Sequence, residues 1–379
     1  VRFYNLKITE QKNPNKVDAK YRKTSNRPFA QTATLGVGNK TLLHLSSYVK
    51  RDPNGPGWVP GFATDRFDPG ALDIQFQFTE NSLTTFDASS GAANITIKGV
   101  DIATVKAAEN LRGKTVSLYA GMGRGLPLSK PEQSGEILLG TVMSSVGNWE
   151  GTDLSLTLYV LPYIVPPEQW GTPIAPGLTP TGQQPVDNLQ FHCRWGEDLT
   201  MATKQALKAA ATNYRIDFKI PNAVRLASRE YTGRYHSLKD LCVGIGRIWK
   251  ESEGLDLAIS IRSNSLVVTT DDHTKKAAKV PFEELMGQPA WNGPTEISFT
   301  TAMRADICVG DLVELPNISE AGLIMAQNSA AIFALRQHSL FAGTYVVRTI
   351  SHLGQFRSPD GLQWASTFTC YPKGPKAKQ

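Results

Sequence analysis

Arg112-Gly113-Lys114-Thr115-Val116-Ser117-Leu118 has a counterpart far downstream, Val309-Gly310-Asp311-Leu312-Val313-Glu314-Leu315. Each places a glycine and a charged residue directly before an apolar run. Glycine reaches positive φ without a Cβ penalty, so both read as a tight turn into a strand. The surroundings repeat as well. Ala93-Asn94-Ile95-Thr96-Ile97 precedes the first, and Thr295-Glu296-Ile297-Ser298-Phe299 precedes the second. After the first come a loop, Gly135-Glu136-Ile137-Leu138-Leu139-Gly140-Thr141-Val142, a strand from Leu154 to Tyr159, and Pro162. After the second come a longer loop, Gly343-Thr344-Tyr345-Val346-Val347-Arg348-Thr349-Ile350, a strand from Ala365 to Tyr371, and Pro372. Matching order, loop position and closing proline read as two copies of one plan.

Outward from these segments the first half stays β in texture. Asp73-Ile74-Gln75-Phe76-Gln77-Phe78-Thr79 sets Ile74, Phe76 and Phe78 on one face, the pattern of a strand with one buried side. Seven prolines between Pro162 and Pro185 then exclude a helix or central strand and predict a linker. Beyond it, Asp198 to Thr212 predicts an alanine-rich helix capped by Asp198 or Thr200. Tyr214 to Ile220 alternates. Ser237-Leu238-Lys239-Asp240 has the shape of a capping box, opening a helix with Leu238, Leu241, Ile245, Ile248 and Trp249 on one stripe and Gly254 near its end. Leu257 to Ile261 and Leu266 to Thr269 predict a hairpin.

The expected fold is mainly β with an α+β insert: two similar antiparallel β-barrel domains plus a small α+β domain. The expected boundaries are an N-terminal arm and start of the first barrel (1–70), the first barrel (71–162), a Pro-rich linker (163–187), the α+β domain (188–290) and the second barrel (291–379). Two such units per chain have a geometric use. Three chains in a ring give six units, hence pseudo-sixfold symmetry from a threefold assembly.

The chain has 379 residues and a formal net charge of +6. Arg2, Lys7, Lys12, Lys16, Lys20, Arg22, Lys23 and Arg27 crowd its start, and Lys373, Lys376 and Lys378 its end. Solvated basic arms are expected there, with contact to DNA or an acidic partner as the alternative. No apolar run is long enough to span a membrane, and Val1-Arg2-Phe3-Tyr4 predicts no secretory leader. Cys193, Cys242, Cys308 and Cys370 are widely spaced, so free thiols are expected and a metal site is not.

Segments that could carry chemistry read as structural. Asp271-Asp272-His273 is followed by Lys275-Lys276, as in a charged turn. Gly121-Met122-Gly123-Arg124-Gly125 lacks the helix N-terminus that a phosphate loop requires. His192-Cys193 are adjacent on a strand and point to opposite faces. His352 has no readable carboxylate or serine partner, so a structural hydrogen bond is expected. In the middle region Glu197, Asp198, Glu230, Asp240, Glu251 and Glu253 are expected to be exposed. No catalytic residue, metal ligand or cofactor is predicted.

The order of motifs resembles that of tail hub proteins of contractile and other long-tailed phages, the Mu-like ones included, and of type VI secretion spike hubs. The second copy carries it through Gly287-Gln288-Pro289, Glu296-Ile297-Ser298-Phe299, Gly310-Asp311-Leu312-Val313-Glu314-Leu315, Gly343-Thr344-Tyr345-Val346-Val347, His352 and Trp364. The first carries it through Ala93 to Ile97, Leu111 to Val116 and Gly140-Thr141-Val142. The resemblance implies a homotrimeric structural baseplate hub in the virion tail, assembled in the host bacterial cytoplasm. It implies contacts with the tail tube or distal tail protein, the spike or tip protein, wedge or fibre-side baseplate proteins and the tape-measure protein. Genomic DNA would pass through its lumen transiently. A hub-associated cell-wall-degrading enzyme and a DNA-binding module are the alternatives. With no spike helix before Gln379, a separate spike protein is expected.

Interfaces are expected on large loops of the β scaffold. The candidates are Gly121, Arg124 and Leu126 in the loop from Gly121 to Gln133, and Leu323, Met325, Ile332 and Phe333 in the apolar insertion from Glu320 to Gln337. Trp58 and the basic N-terminal arm complete the set.

Overall fold

The structure is a computed structural model. It describes residues 2–10, 41–48, 68–84, 92–122, 133–162, 189–211, 214–221, 224–262, 265–271, 276–293, 295–316 and 341–373. The first copy contains β1 (Arg2–Thr9), β2 (Thr41–Ser46), β3 (Asp73–Asn81), β4 (Ala93–Lys98), β5 (Thr115–Met122), β6 (Gly135–Glu150) and β7 (Asp153–Leu161), with the short helix α1 (Ile102–Lys106) after β4. The middle region holds β8 (Leu189–Cys193), α2 (Leu199–Ala210), β9 (Arg215–Lys219), β10 (Tyr231–Tyr235), α3 (Leu238–Glu253), β11 (Leu257–Arg262) and β12 (Ser265–Thr270). The rest is β13 (Ala278–Lys279), β14 (Ala290–Gly293), β15 (Glu296–Ala302), β16 (Leu312–Leu315), β17 (Gly343–Gln355) and β18 (Trp364–Pro372). The protein is mainly β, as expected.

Both copies lie in one 13-stranded sheet, in the order β14-β15-β18-β17-β3-β4-β7-β6-β5-β1-β2, with β16 paired to β17 and β13. Within it the duplication is visible bond by bond. β4-β7-β6-β5 and β15-β18-β17-β16 pair in the same order. Gly113 N–H donates to the Val142 carbonyl at 2.8 Å, and Val142 N–H to that of Lys114 at 2.9 Å. Gly310, Val347 and Asp311 repeat both bonds at the same lengths. The two turn glycines have φ of 77° and 87°, which is why glycine stands there. Each long strand then slips register against its hairpin partner at an equivalent site, between Val142 and Ser144 in β6 and between Val347 and Thr349 in β17. Threonine pairs bridge equivalent positions, Thr96 with Thr157 at 3.3 Å and Thr300 with Thr367 at 3.0 Å.

These bonds correct the alignment read from sequence. Asn94 corresponds to Ser298 and not Glu296; Val142 corresponds to Val347 and not Ile350. The first offset is two residues, which keeps every side chain on its face and escapes period-two patterning. The second is three, hidden because β6 and β17 are buried without alternation near their starts.

The buried faces follow the alternation. Ile74, Phe76 and Phe78 of β3 enter the first core, where each full burial contributes about 1.5–3 kcal/mol. That core also takes Met303, Ala305, Phe356 and Trp364 from the second copy. The N-terminal segment departs from the basic-arm reading. Arg2 and Lys7 lie on β1, which pairs with β5 along its whole length.

In the middle region Asp198 Oδ1 accepts from Thr200 N–H and caps α2. Ser237 Oγ accepts from Asp240 N–H at 3.0 Å and donates to its carboxylate at 2.7 Å, the expected capping box. Gly254 ends α3 in the left-handed conformation with φ 69°. Leu238, Leu241, Ile245, Ile248 and Trp249 are buried as a stripe, and the Trp249 indole donates to Thr203 on α2 at 2.9 Å.

Candidate assembly interface

The joint between the two copies is the strongest assembly geometry in the chain. β3 of the first copy pairs antiparallel with the C-terminal half of β17, from Asn81 opposite Thr349 to Gln75 opposite Gln355. The β17–β18 hairpin then reaches under β1 and β5. Arg2 donates to the carbonyls of Gln355, Phe356, Ser358 and Asp360, with its guanidinium 5.9 Å above the Trp364 ring. Phe356 meets Tyr4 edge-on at 4.8 Å, and Phe76 meets Trp364 edge-on at 5.3 Å. Arg357 donates to the carbonyls of Pro69 and Ala71.

Gly121, expected at the start of an interface loop, lies on β5 inside this joint. Its carbonyl accepts from the Trp364 indole at 2.9 Å. A Cβ there would sit 2.4 Å from Ser134 Oγ and 2.8 Å from its Cα. Gln133, at the other end of the same loop, is also buried; its amide donates to Glu284 at 2.9 Å. The ends of the loop are therefore framework. Trp58, Arg124, Leu126, Leu323, Met325, Ile332 and Phe333 lie outside the described residues.

Two buried polar groups back the joint. Arg304 grips Asp306 with two bonds of 2.8 and 2.7 Å and Glu284 with one of 2.7 Å, so its fork geometry is used in full. His352 is buried beside Phe78 and places Nδ1 2.9 Å from Ser366 Oγ. Burial first, and the Arg262 charge second, push its pKa down to about 3. His352 is therefore neutral at pH 7, and its 4.0 Å approach to Glu80 is no ion pair then. Burial pushes the Glu80 carboxyl upward, while Arg262 pulls it down. Sequence reading expected a structural hydrogen bond at His352 but named neither Ser366 nor Glu80 beside it. It missed Arg304, because the partners come from separate strands and loops of both copies.

The middle-region carboxylates have structural duties. Asp198 caps α2, and Asp240 accepts from the Ser237 hydroxyl in the first turn of α3. Glu197 accepts from Arg194 N–H at 2.8 Å, and Glu251 and Glu253 face Arg229 and Arg225. Glu197, Glu230, Asp240 and Glu251 are exposed as expected; Asp198 and Glu253 are half-buried. His192 is exposed and Cys193 buried, on opposite faces. Among the described residues no group of three His, Cys, Asp or Glu is placed to hold a metal. No helix among them is long and apolar enough to cross a membrane.

Exposed apolar residues stand at several places. Trp149 (69% exposed) and Val146 (45%) lie on β6, and Trp291 (39%) lies on β14. Trp195, Met201, Val224 and Leu226 lie on the middle region, where Asp198 bridges to Leu226.

No protein-family model and no curated protein matches this chain. Its structural neighbours are tail proteins and a VgrG complex. It is similar to the tail protein from Neisseria meningitidis MC58, with a TM-score of 0.43, 10% identity, and coverage of 80% of this chain and 96% of that one. It is similar to the 43 kDa tail protein of prophage MuSo2 from Shewanella oneidensis, with a TM-score of 0.40, 10% identity, and coverage of 80% and 98%. A lidless PdpA–VgrG complex matches with a TM-score of 0.39 and 6% identity, covering 100% of this chain and 67% of that one.

Proposed function

We propose that this chain is the structural hub of a phage-tail baseplate, three copies forming a ring of six similar β units. The observation that carries the reading is the duplicated unit, repeated hydrogen bond for hydrogen bond and fused into one sheet. A ring of three such chains offers quasi-sixfold positions to a sixfold tail tube and threefold positions to a central spike or tip. Each copy is read as one barrel of that ring, with the middle region as a decoration between them. In this role the partners are the tube or distal tail protein, the spike or tip protein, wedge or fibre-side proteins and the tape-measure protein. Genomic DNA passes through the lumen. The place of action is the virion tail.

The proposed role is structural and not enzymatic, since five of the six middle-region carboxylates singled out from sequence serve as caps, turns and ion pairs. A zymogram with peptidoglycan tests that half: clearing would overturn it. The hub half is tested by mass in solution and negative-stain images of the purified chain. A mass three times that of the 41.4 kDa chain, with rings in projection, is expected. A strictly monomeric chain overturns it.

A further inference from the structure

The side of β17 turned away from β18 has two partners in succession. β16 occupies its start, from Gly343 to Val346, and β3 occupies its C-terminal half. The equivalent strand β6 has β5 at its start and, on its other side, β7 from Thr141 to Glu150. Among the described residues no strand lies against the outer edge of β6 from Ser144 to Glu150. The register slips at equivalent places align Ser144 to Glu150 with Thr349 to Gln355, the segment that β3 occupies.

The missing partner can be read from the other copy. β3 lies beside β4 as β14 lies beside β15. One side of β3 is taken by β17, whereas β14 ends the sheet. Among the described residues, each chain therefore carries two open edges whose equivalents are already paired to each other inside the same chain. They do not meet within one chain, because six strands separate β14 from β6 in the sheet order. Applying the internal joint once more brings β6 of one chain against β14 of the next. That is a heterologous contact, which builds rings when its rotation closes.

The chemistry of the edges agrees. Natural sheet edges are blunted by lysine, proline or charge, but Ser144-Ser145-Val146-Gly147-Asn148-Trp149 carries none of these. Trp149 stands where the internal joint has Gly354, against which the Phe76 ring is packed. Helix α1 does not block the site. Val105 of α1 lies where a Gly147 side chain would be, and Ser145 Oγ donates to the Ala108 carbonyl, so that segment covers a face and leaves the edge open.

We infer that residues 144–150 of β6 add antiparallel to β14 of a second copy of this chain, with Asn148 opposite Ala290, Gly147 opposite Trp291 and Val146 opposite Asn292. The inference rests on the ring proposed above and names its contact. Facing residues of an antiparallel pair are close enough for a disulfide. The test is therefore Asn148→Cys combined with Ala290→Cys, both exposed positions, oxidised at high protein concentration and run without reductant beside each single variant. A ladder ending at three linked chains is expected from the double variant alone. Val146→Lys with Trp149→Lys should abolish the oligomer while leaving the circular dichroism spectrum unchanged and removing any dependence of the melting temperature on protein concentration. An oligomer by mass with no ladder overturns this edge pairing and leaves the ring standing. A monomer by mass overturns both.

Discussion

Trp364 and Gly121, 243 residues apart, are joined by an indole N–H that donates to a backbone carbonyl. Trp364 is fully buried, so no water replaces the bond once it is removed. Trp364→Phe should cost about 1–3 kcal/mol by leaving the Gly121 carbonyl unpaired. Trp364→Ala should cost about 3–5 kcal/mol by emptying the site as well. Urea unfolding with a shared m-value measures both, and equal losses would refute the account.

Gly113 and Gly310 open equivalent strands at positive φ, so an alanine at either should cost about 1–2 kcal/mol. Gly310 should cost more, because a Cβ there would lie 2.2 Å from Thr269 Oγ1. Thr269→Ala should recover that excess in the Gly310→Ala background and do nothing for Gly113→Ala. Thermal melts of the four variants check this.

Acid should act through His352. Its folded pKa of about 3 lies below the unfolded value of 6.5, so below pH 6.5 the unfolded chain binds a proton that the folded chain refuses. Stability should fall between pH 6.5 and 3, by up to about 1.4 kcal/mol per unit. Glu80 opposes this. Its raised carboxyl pKa makes the fold take up a proton first as pH falls, which adds stability. In a Glu80→Gln background the fall should steepen, and His352→Gln should flatten it. Denaturation curves from pH 7 to 4 give the slopes; an unchanged slope in His352→Gln would sink the assignment.

Ser237 satisfies the Asp240 N–H at the start of α3. Ser237→Ala should lower stability by about 1 kcal/mol. Ser237→Thr, which keeps a hydroxyl to accept from the Asp240 N–H and donate to its carboxylate, should restore most of it. Chemical denaturation monitored at 222 nm reads both.

The sequence made the repeat, the two helices and their caps legible, because these are written in neighbouring residues. Three features were not. β1 is buried on both faces, so Arg2-Phe3-Tyr4-Asn5-Leu6 shows no alternation and reads as a basic arm. The register between copies was off by two residues at β4 and β15, since that shift leaves the buried face unchanged. It was off by three at β6 and β17, which are buried without alternation near their starts. The fusion of β3 to β17 joins residues whose patterns give no hint of each other. Gly121 was read as part of an interface loop, whereas it lies at the end of β5 against Ser134 and the Trp364 indole. The signal available was its glycine identity at a strand end, which fits close approach of another chain segment as well as a loop.

The pairing of Asn81 with Thr349 also sets a timetable. Ribosomes add roughly 5–20 residues per second, so β3 waits on the order of ten seconds to a minute for its outer neighbour to emerge. During that interval the nascent chain displays the open edges of β3 and β6 together. Chains released before residue 343 keep the β3 edge open. Such fragments offer each other strand edges without the hairpin that normally caps them, and they are the species that cellular quality control must hold apart.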